Sequence, residues 1–127
     1  MSSAKTVLVI DDDEALRSAL AAFLVSRGYQ VVTAEDGEAG IQAAKAHRPD
    51  LVVVDMMMPR KSGFLVMDAL KQDSKTAVKI VMITANEGSR HRAYAEMLGA
   101  DAYLRKPFAM DQFYAAISEL CPPPPPL

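Results

Sequence analysis

The chain has 127 residues, of which half are hydrophobic and 24% are charged, and its formal net charge is −2. This length suits one domain, and the near-neutral charge gives no bulk attraction to nucleic acid or to anionic membranes. The single cysteine excludes an internal disulfide and favours a reducing compartment. Since no apolar stretch approaches the roughly 20 residues that span a bilayer, we expect a cytoplasmic protein.

Short apolar runs rich in β-branched residues predict five strands. They lie at residues 6–10, 30–33, 51–54, 79–83 and, more weakly, 102–104. The runs VLVI, LVVV and IVMI show no polar alternation, which is typical of strands that are buried on both faces.

Each apolar run is followed by a segment with helical spacing. Gly28 is placed to end the first helix, and Asp36 and Ser62 are suited to cap the second and third. The fourth helix covers residues 89–98, and the fifth begins after Ala109, whose side chain cannot cap it. This alternation indicates an α/β fold, a doubly wound (βα)5 parallel sheet of five strands with helices on both faces.

Five consecutive prolines occupy residues 122–126. Proline cannot continue a helix and favours an extended polyproline conformation. We therefore predict one domain over residues 1–121, with residues 122–127 as a proline-rich tail or the start of a linker. A docking motif for a proline-binding partner is the alternative interpretation.

The carboxyl ends of the predicted strands carry an unusual set of side chains. Asp11 and Asp12 follow the first strand, Asp55 the third, Thr84 the fourth and Lys106 the fifth. In a doubly wound sheet, ligand sites lie outside these strand ends, at the switch point of the winding. A single acid at such a position is usually a helix cap, but the combined set predicts a functional site.

The acids of this set need a counter-charge. Two carboxylates about 5 Å apart repel each other by about 3 kcal/mol at an effective dielectric constant near 20. Mg²⁺ removes this penalty, because it prefers carboxylates, backbone carbonyls and water as ligands. Asp13 and Glu14, by contrast, suit the first turn of a helix.

Thr84 and Lys106 offer a hydroxyl group and a cation opposite the metal. Such groups suit a tetrahedral anion, since phosphoryl transfer depends on positioning and on neutralisation of charge. A carboxylate can act as the nucleophile and form an acyl phosphate. Asp55 is the candidate nucleophile.

Four motifs, IDDDEALR, PDLVVVDMMMPRKSG, VMITAN and GADAYLRKPF, resemble the signatures of bacterial two-component response-regulator receiver domains. The resemblance covers residues 5 to about 120. It implies a flavodoxin-like fold with the strand order 2-1-3-4-5. It also implies that Asp55 is the phosphoacceptor and that Asp11, Asp12, Asp55 and the backbone carbonyl of Met57 hold Mg²⁺.

The same resemblance implies how the site would signal. Lys106 binds the phosphoryl group and precedes a cis bond to Pro107, while Thr84 and Tyr103 act as the switch. Phosphorylation would then change the face formed by the fourth helix, fifth strand and fifth helix. Candidate contacts on this face are Arg90, Arg92, Glu96, Tyr103, Arg105 and Gln112. Static packing is the alternative interpretation of Tyr103.

The implied partners are a histidine kinase or histidine phosphotransfer protein, and a downstream protein or output domain. The chain would be a signalling protein rather than an enzyme, and it would catalyse only its own phosphorylation and dephosphorylation. It would be either a single-domain regulator or the receiver of a longer one. A monomer and a phosphorylation-dependent dimer both remain open. Met57 and Asn86 would border the route of the attacking water, and we predict that Met57 shields the acyl phosphate.

Three other functions compete with this interpretation. An aspartyl-nucleophile phosphatase commonly carries a second acid two residues after the nucleophile, where this chain has Met57. A flavodoxin-like cofactor carrier needs a phosphate loop rich in Ser, Thr and Gly after the first strand, where this chain has acids. A docking module that is never phosphorylated has no need of the complete set of acids, hydroxyl and lysine.

Overall fold

The computed structural model describes residues 4–58, 60–72, 78–85 and 89–124, and the side chains of residues 89–92 lie outside this description. Within it, the strands are β1 (Thr6–Ile10), β2 (Gln30–Ala34), β3 (Leu51–Asp55), β4 (Lys79–Thr84) and β5 (Ala102–Arg105). The helices are α1 (Glu14–Ser26), α2 (Gly37–His47), α3 (Gly63–Gln72), α4 (Ser89–Leu98) and α5 (Met110–Leu120).

The strands form one parallel sheet in the order β2-β1-β3-β4-β5. This confirms the doubly wound α/β fold and the strand order. Strands β2 to β5 each extend one residue further than predicted, so that Asp55 and Thr84 are the last residues of β3 and β4. The difference arises because parallel pairing continues through these polar residues, as in the pairing of Asp55 with Ile83.

Alternate residues of the central strands pack into two cores on opposite faces of the sheet. Leu8 and Val52 face a cluster that contains side chains of α2, α3 and α4. Val9 and Val53 face a second cluster, which contains side chains of α1 and α5. Every residue of the VLVI, LVVV and IVMI runs is fully buried, as predicted for strands covered on both faces.

The predicted helix caps Asp36 and Ser62 are present, and Asp13, which was predicted for a first helical turn, is the N-cap of α1. All three accept hydrogen bonds from backbone N–H groups in the first turns of their helices. Gly28 follows the end of α1 with φ +96°, a conformation that favours glycine. The chain therefore starts these helices with side chains that satisfy otherwise unpaired N–H groups.

Helix α5 begins without such a cap. Ala109 has the extended backbone of an N-cap residue, it is exposed, and its side chain makes no hydrogen bond. We expect Ala109→Ser to raise the free energy of unfolding by about 1 kcal/mol, because the hydroxyl oxygen would accept a first-turn N–H. Urea denaturation at constant m-value measures the change. Ala115→Ser, at an exposed position inside α5, is the matched control and is expected to be slightly destabilising; a similar effect at both positions would contradict the prediction.

The segment after α5 folds back toward the start of β2. The Tyr29 hydroxyl donates a hydrogen bond to the backbone carbonyl of Cys121, and burial raises the pKa of Tyr29 to about 12. Pro124 lies beside Gly28, where an added Cβ would be 3.4 Å from the proline ring. Residues 125–127 of the proline segment lie outside the described residues, and the domain boundary at residue 121 stays a prediction.

None of the helices in the described part of the chain combines the length and the apolar character that a membrane span requires.

Candidate functional site

Three aspartates meet at the carboxyl end of the sheet, as predicted. Asp11 follows β1 and is fully buried, Asp55 ends β3 and is 4% exposed, and Asp12 faces solvent. One carboxylate oxygen from each residue lies within 4.8 Å of the others. Because β1 and β3 are neighbours on either side of the winding's switch point, the fold itself brings these residues together.

Backbone N–H groups orient the two buried carboxylates. Asp11 Oδ1 accepts a hydrogen bond from the N–H of Asp13 at 2.9 Å, and Asp55 Oδ1 accepts one from the N–H of Met57 at 3.0 Å. Arg17 Nη1 also donates to the Asp11 carbonyl oxygen at 2.7 Å. In each carboxylate, one oxygen is thus held by the backbone while Oδ2 faces the centre of the site.

Lys106 connects these two Oδ2 atoms. Its Nζ lies 3.0 Å from Asp11 Oδ2 and 3.1 Å from Asp55 Oδ2. Burial raises the pKa of Asp55, and the Met57 N–H and Lys106 offset only part of this effect. Burial acts to lower the pKa of Lys106, but its bonds to the two aspartates outweigh this and raise it. The lysine is therefore charged, and its ammonium lies between two buried carboxylates.

The donor set fits a hard divalent cation. Asp11 Oδ2 is buried and makes an ion pair with Lys106 at 3.0 Å, and within the described part of the chain it has no further polar partner. The cluster offers only carboxylate oxygens, and the exposure of Asp12 leaves that side open to water. Oxygen ligands and retained water are what Mg²⁺ prefers, so these residues are suited to hold it.

The switch candidates lie on β4 and β5. Thr84 is fully buried and pairs with Arg105 in the sheet, and its carbonyl accepts the Lys106 N–H at 2.7 Å. The bond between Lys106 and Pro107 is cis, as the family resemblance implied. Tyr103 is partly buried against the core, with its hydroxyl oxygen excluded from solvent. The backbone therefore links Thr84 directly to the lysine of the site.

A mostly apolar groove of about 400 Å³ opens beside Lys106. Its lining residues come from the start of α1, the end of β4 and the segment after β5: Asp13, Leu16, Ala85, Lys106, Pro107, Phe108 and Met110. The predicted site residue Asn86 and the side chains of Arg90 and Arg92 lie outside the described residues.

One close contact at the site was not predicted from the sequence. Gly63 packs directly against the backbone of Asp55 and Met56, and its N–H donates to the Met56 carbonyl at 2.9 Å. An added Cβ at this position would lie 2.8 Å from Met56 Cα and still closer to the Asp55 carbonyl oxygen. A glycine at the first position of a helix is the only sequence signal of this packing.

Residues 7–118 match the family described as "Response regulator receiver domain". The chain belongs to this family. The receiver is 36% identical over 116 residues to the alkaline phosphatase synthesis transcriptional regulatory protein PhoP of Bacillus subtilis, covering 91% of this chain and 48% of PhoP. It is 39% identical over 111 residues to the transcriptional regulatory protein KdpE of Mycobacterium tuberculosis, covering 87% of this chain and 48% of KdpE.

Solved structures agree with this assignment. The chemotaxis protein CheY4 of Vibrio cholerae superposes with a TM-score of 0.87 and 27% identity, covering 93% of this chain and 99% of that chain. A response regulator from Chloroflexus aurantiacus described as putative gives a TM-score of 0.87, 27% identity and coverage of 93% and 98%. The receiver spans about half the length of the curated relatives that it matches.

Proposed function

We propose that this receiver accepts a phosphoryl group on Asp55, with Mg²⁺, from the phosphohistidine of a histidine kinase or a histidine phosphotransfer protein. The observation that carries the proposal is the convergence of Asp11, Asp12 and Asp55, with the Lys106 ammonium between Asp11 and Asp55. A solvated acidic loop has no need of a half-buried lysine between two buried aspartates. Membership of the receiver family supports the same assignment.

The chain's own residues supply most of the chemistry. An Asp55 carboxylate oxygen attacks phosphorus, the new O–P bond forms, and the P–N bond to the donor imidazole breaks. The Met57 N–H holds Asp55 Oδ1, and Lys106 moves its charge from Asp55 to the phosphoryl oxygens. Asp11, Asp12, Asp55 and the Met57 carbonyl would hold Mg²⁺, which would neutralise the phosphoryl charge when bound.

The proposed switch uses the connection between β4 and β5. Thr84 and Lys106 are drawn toward the added phosphoryl oxygens, and their backbones are already linked by a hydrogen bond. Tyr103, on the edge strand β5, would change its packing in response. The result is a population shift of the face formed by α4, β5 and α5. The groove beside Pro107 and Phe108 is the proposed docking region for the phosphate donor.

Incubation with acetyl phosphate tests the proposal directly. Wild-type protein should become phosphorylated with Mg²⁺ present and remain unlabelled with excess EDTA, and peptide mapping should place the label on Asp55. Label on another side chain would overturn the proposal. Turnover of small phosphate esters would instead favour the aspartyl-nucleophile phosphatase.

Mg²⁺ should also stabilise the fold. A ligand that binds only the folded state at 100 times its Kd adds about 2.7 kcal/mol to the free energy of unfolding. For a domain of this size we expect a Tm increase of roughly 10 °C. Asp12→Asn should remove most of the increase in Tm, because it deletes an exposed metal ligand without disturbing the buried carboxylates of Asp11 and Asp55. Calorimetry with and without Mg²⁺ measures the effect, and an equal response in both proteins would exclude Asp12 as a ligand.

Met57 should control the lifetime of the acyl phosphate. Its side chain is 61% exposed, so it is not held in the core and is free to cover the phosphoryl group. We expect Met57→Asn to speed dephosphorylation several-fold, because a small polar side chain admits the attacking water. The decay of labelled protein measures this, with the exposed Met97 replaced by Asn as the control. An unchanged decay rate would exclude shielding by Met57.

PhoP and KdpE are transcriptional regulatory proteins about twice as long as this chain. We therefore propose that the receiver controls either an output domain or a separate partner. Residues 122–127 would then form a tail or the start of a linker. A cytoplasmic location and a phosphorylation-dependent dimer stay predictions. Gel filtration before and after phosphorylation tests the dimer.

A further inference from the structure

We infer that Asp36 is a positioning residue for the metal site, acting through Arg60 on the loop between β3 and α3. The inference rests on the proposed Mg²⁺ site. Asp36 lies beyond the end of β2, is 6% exposed and is not one of the three clustered acids. Its Oδ1 accepts the N–H of Ala39, while Oδ2 lies 3.2 Å from Arg60 Nη1. One carboxylate thus both caps α2 and holds the loop.

The backbone at Arg60 has a conformation that requires support. Arg60 has φ +70°, a left-handed conformation that is unfavourable for a residue with a side chain. The neighbouring residue Lys61 packs against Gly37, where an added Cβ would lie 2.6 Å from Lys61 Cβ and 2.7 Å from its carbonyl oxygen. The start of α2 and the loop are therefore in direct contact, and the pair between Asp36 and Arg60 holds that contact in one arrangement.

The same loop carries the proposed Met57 ligand. The N–H of Met56 donates to the Ile83 carbonyl, and the N–H of Gly63 closes the loop on the Met56 carbonyl. On the other side of the site, the last residue of β2 contacts Asp11: the Ala34 carbonyl accepts the Asp11 N–H at 3.2 Å. The end of β2 and the turn after it therefore brace both sides of the site, Asp11 through Ala34 and the loop through Arg60.

Electrostatics and positioning predict opposite effects of an Arg60 substitution on Mg²⁺ binding. Removing the positive charge of Arg60 would strengthen Mg²⁺ binding if only the field mattered, since the local potential becomes more negative. If Arg60 holds the loop, its removal weakens binding, because the loop must be ordered when the metal binds. Residues that orient metal ligands typically change affinity by 10–100-fold. Arg60 is 72% exposed, so we expect a smaller decrease of about 3–10-fold.

Isothermal titration with MgCl2 tests the inference on the full chain. Arg60→Asn removes the ion pair with a residue that tolerates the left-handed backbone, and Asp36→Ser removes it while keeping a helix cap. Both are expected to weaken Mg²⁺ binding, and the double variant no more than either alone. Lys61→Gln is the control, because it removes the same charge from the adjacent residue, breaks an exposed pair with Glu38 and keeps the Cβ that packs against Gly37.

The outcomes separate this inference from the proposed function. Weaker binding by Arg60→Asn, with Lys61→Gln unchanged or tighter, supports the positioning role. Equal or tighter binding by Arg60→Asn overturns it and leaves the proposed site intact. If wild-type protein binds no Mg²⁺, the proposed metal site itself is wrong, and this inference is overturned with it. Urea denaturation without Mg²⁺ confirms that each variant is folded before titration.

Discussion

Asp55→Asn is expected to abolish phosphorylation by acetyl phosphate and, in the absence of Mg²⁺, to increase the stability of the fold. The amide keeps the size of the carboxylate and can still contact Lys106 Nζ, which lies 3.1 Å from Asp55 Oδ2. It has no nucleophilic oxygen anion, so no acyl phosphate forms. The expected labelling of the variant equals that of a sample without acetyl phosphate.

The stability change follows from the pKa of Asp55. Burial raises this pKa above its usual value of 3.8, which means that the folded state disfavours the charged form. The protonated carboxyl therefore stabilises the fold below the unfolded-state pKa, and this contribution is lost as the pH rises through the folded-state pKa. Asparagine stays neutral, so its stability advantage over aspartate should be absent at low pH and reach its full value at neutral pH.

Urea denaturation across this pH range, with EDTA present, measures the difference. Glu119→Gln removes an exposed carboxylate near the end of α5 and serves as the control for the loss of a carboxylate remote from the site. A variant that loses phosphorylation but is less stable than wild type at neutral pH would show that the pair with Lys106 outweighs the cost of burying Asp55. Labelling that persists in Asp55→Asn would place the phosphoacceptor elsewhere.

The outline of the fold could be predicted because its central strands are continuous apolar runs between helical segments. The site residues could be predicted because each follows or ends one of those runs, and a parallel sheet brings such ends to one edge. β3 and β4 end one residue later than predicted. The prediction missed this because the pairing that continues through Asp55 and Thr84 depends on the neighbouring strands. The strand order and the cis bond came only from the family resemblance.

The contacts that shape the site depend on distances between remote residues. The sequence placed Lys106 opposite a metal but gave no sign that its ammonium would bridge Asp11 and Asp55. Arg60 and Asp36 are 24 residues apart, and their pairing depends on how the loop after β3 crosses the start of α2. The helix-cap pattern correctly predicted that Asp36 caps α2. The contact of its second carboxylate oxygen with Arg60 is visible only in the folded structure.

Gly63→Ala should be the most destabilising of the substitutions considered. Each of the nearest contacts of an added Cβ is a backbone atom of Asp55 or Met56, so no side-chain rotation relieves the overlap. We expect the free energy of unfolding to fall by about 2–4 kcal/mol. Mg²⁺ affinity and the rate of phosphorylation should fall as well, because relief of the overlap displaces the strand end that carries the phosphoacceptor.

Gly40→Ala is the matched control for this prediction. An added Cβ there also meets close neighbours, but all of them are side-chain atoms of Ile10, with Cδ1 at 2.5 Å, Cγ1 at 2.9 Å and Cγ2 at 3.1 Å. Replacing glycine inside a helix also gains up to about 1 kcal/mol of helix propensity, so the loss of stability should be smaller than for Gly63→Ala. Gly40 lies outside the acidic cluster, and its variant should keep normal phosphorylation. Equal losses of stability and of phosphorylation in the two variants would show that contact with the Asp55 backbone has no special role.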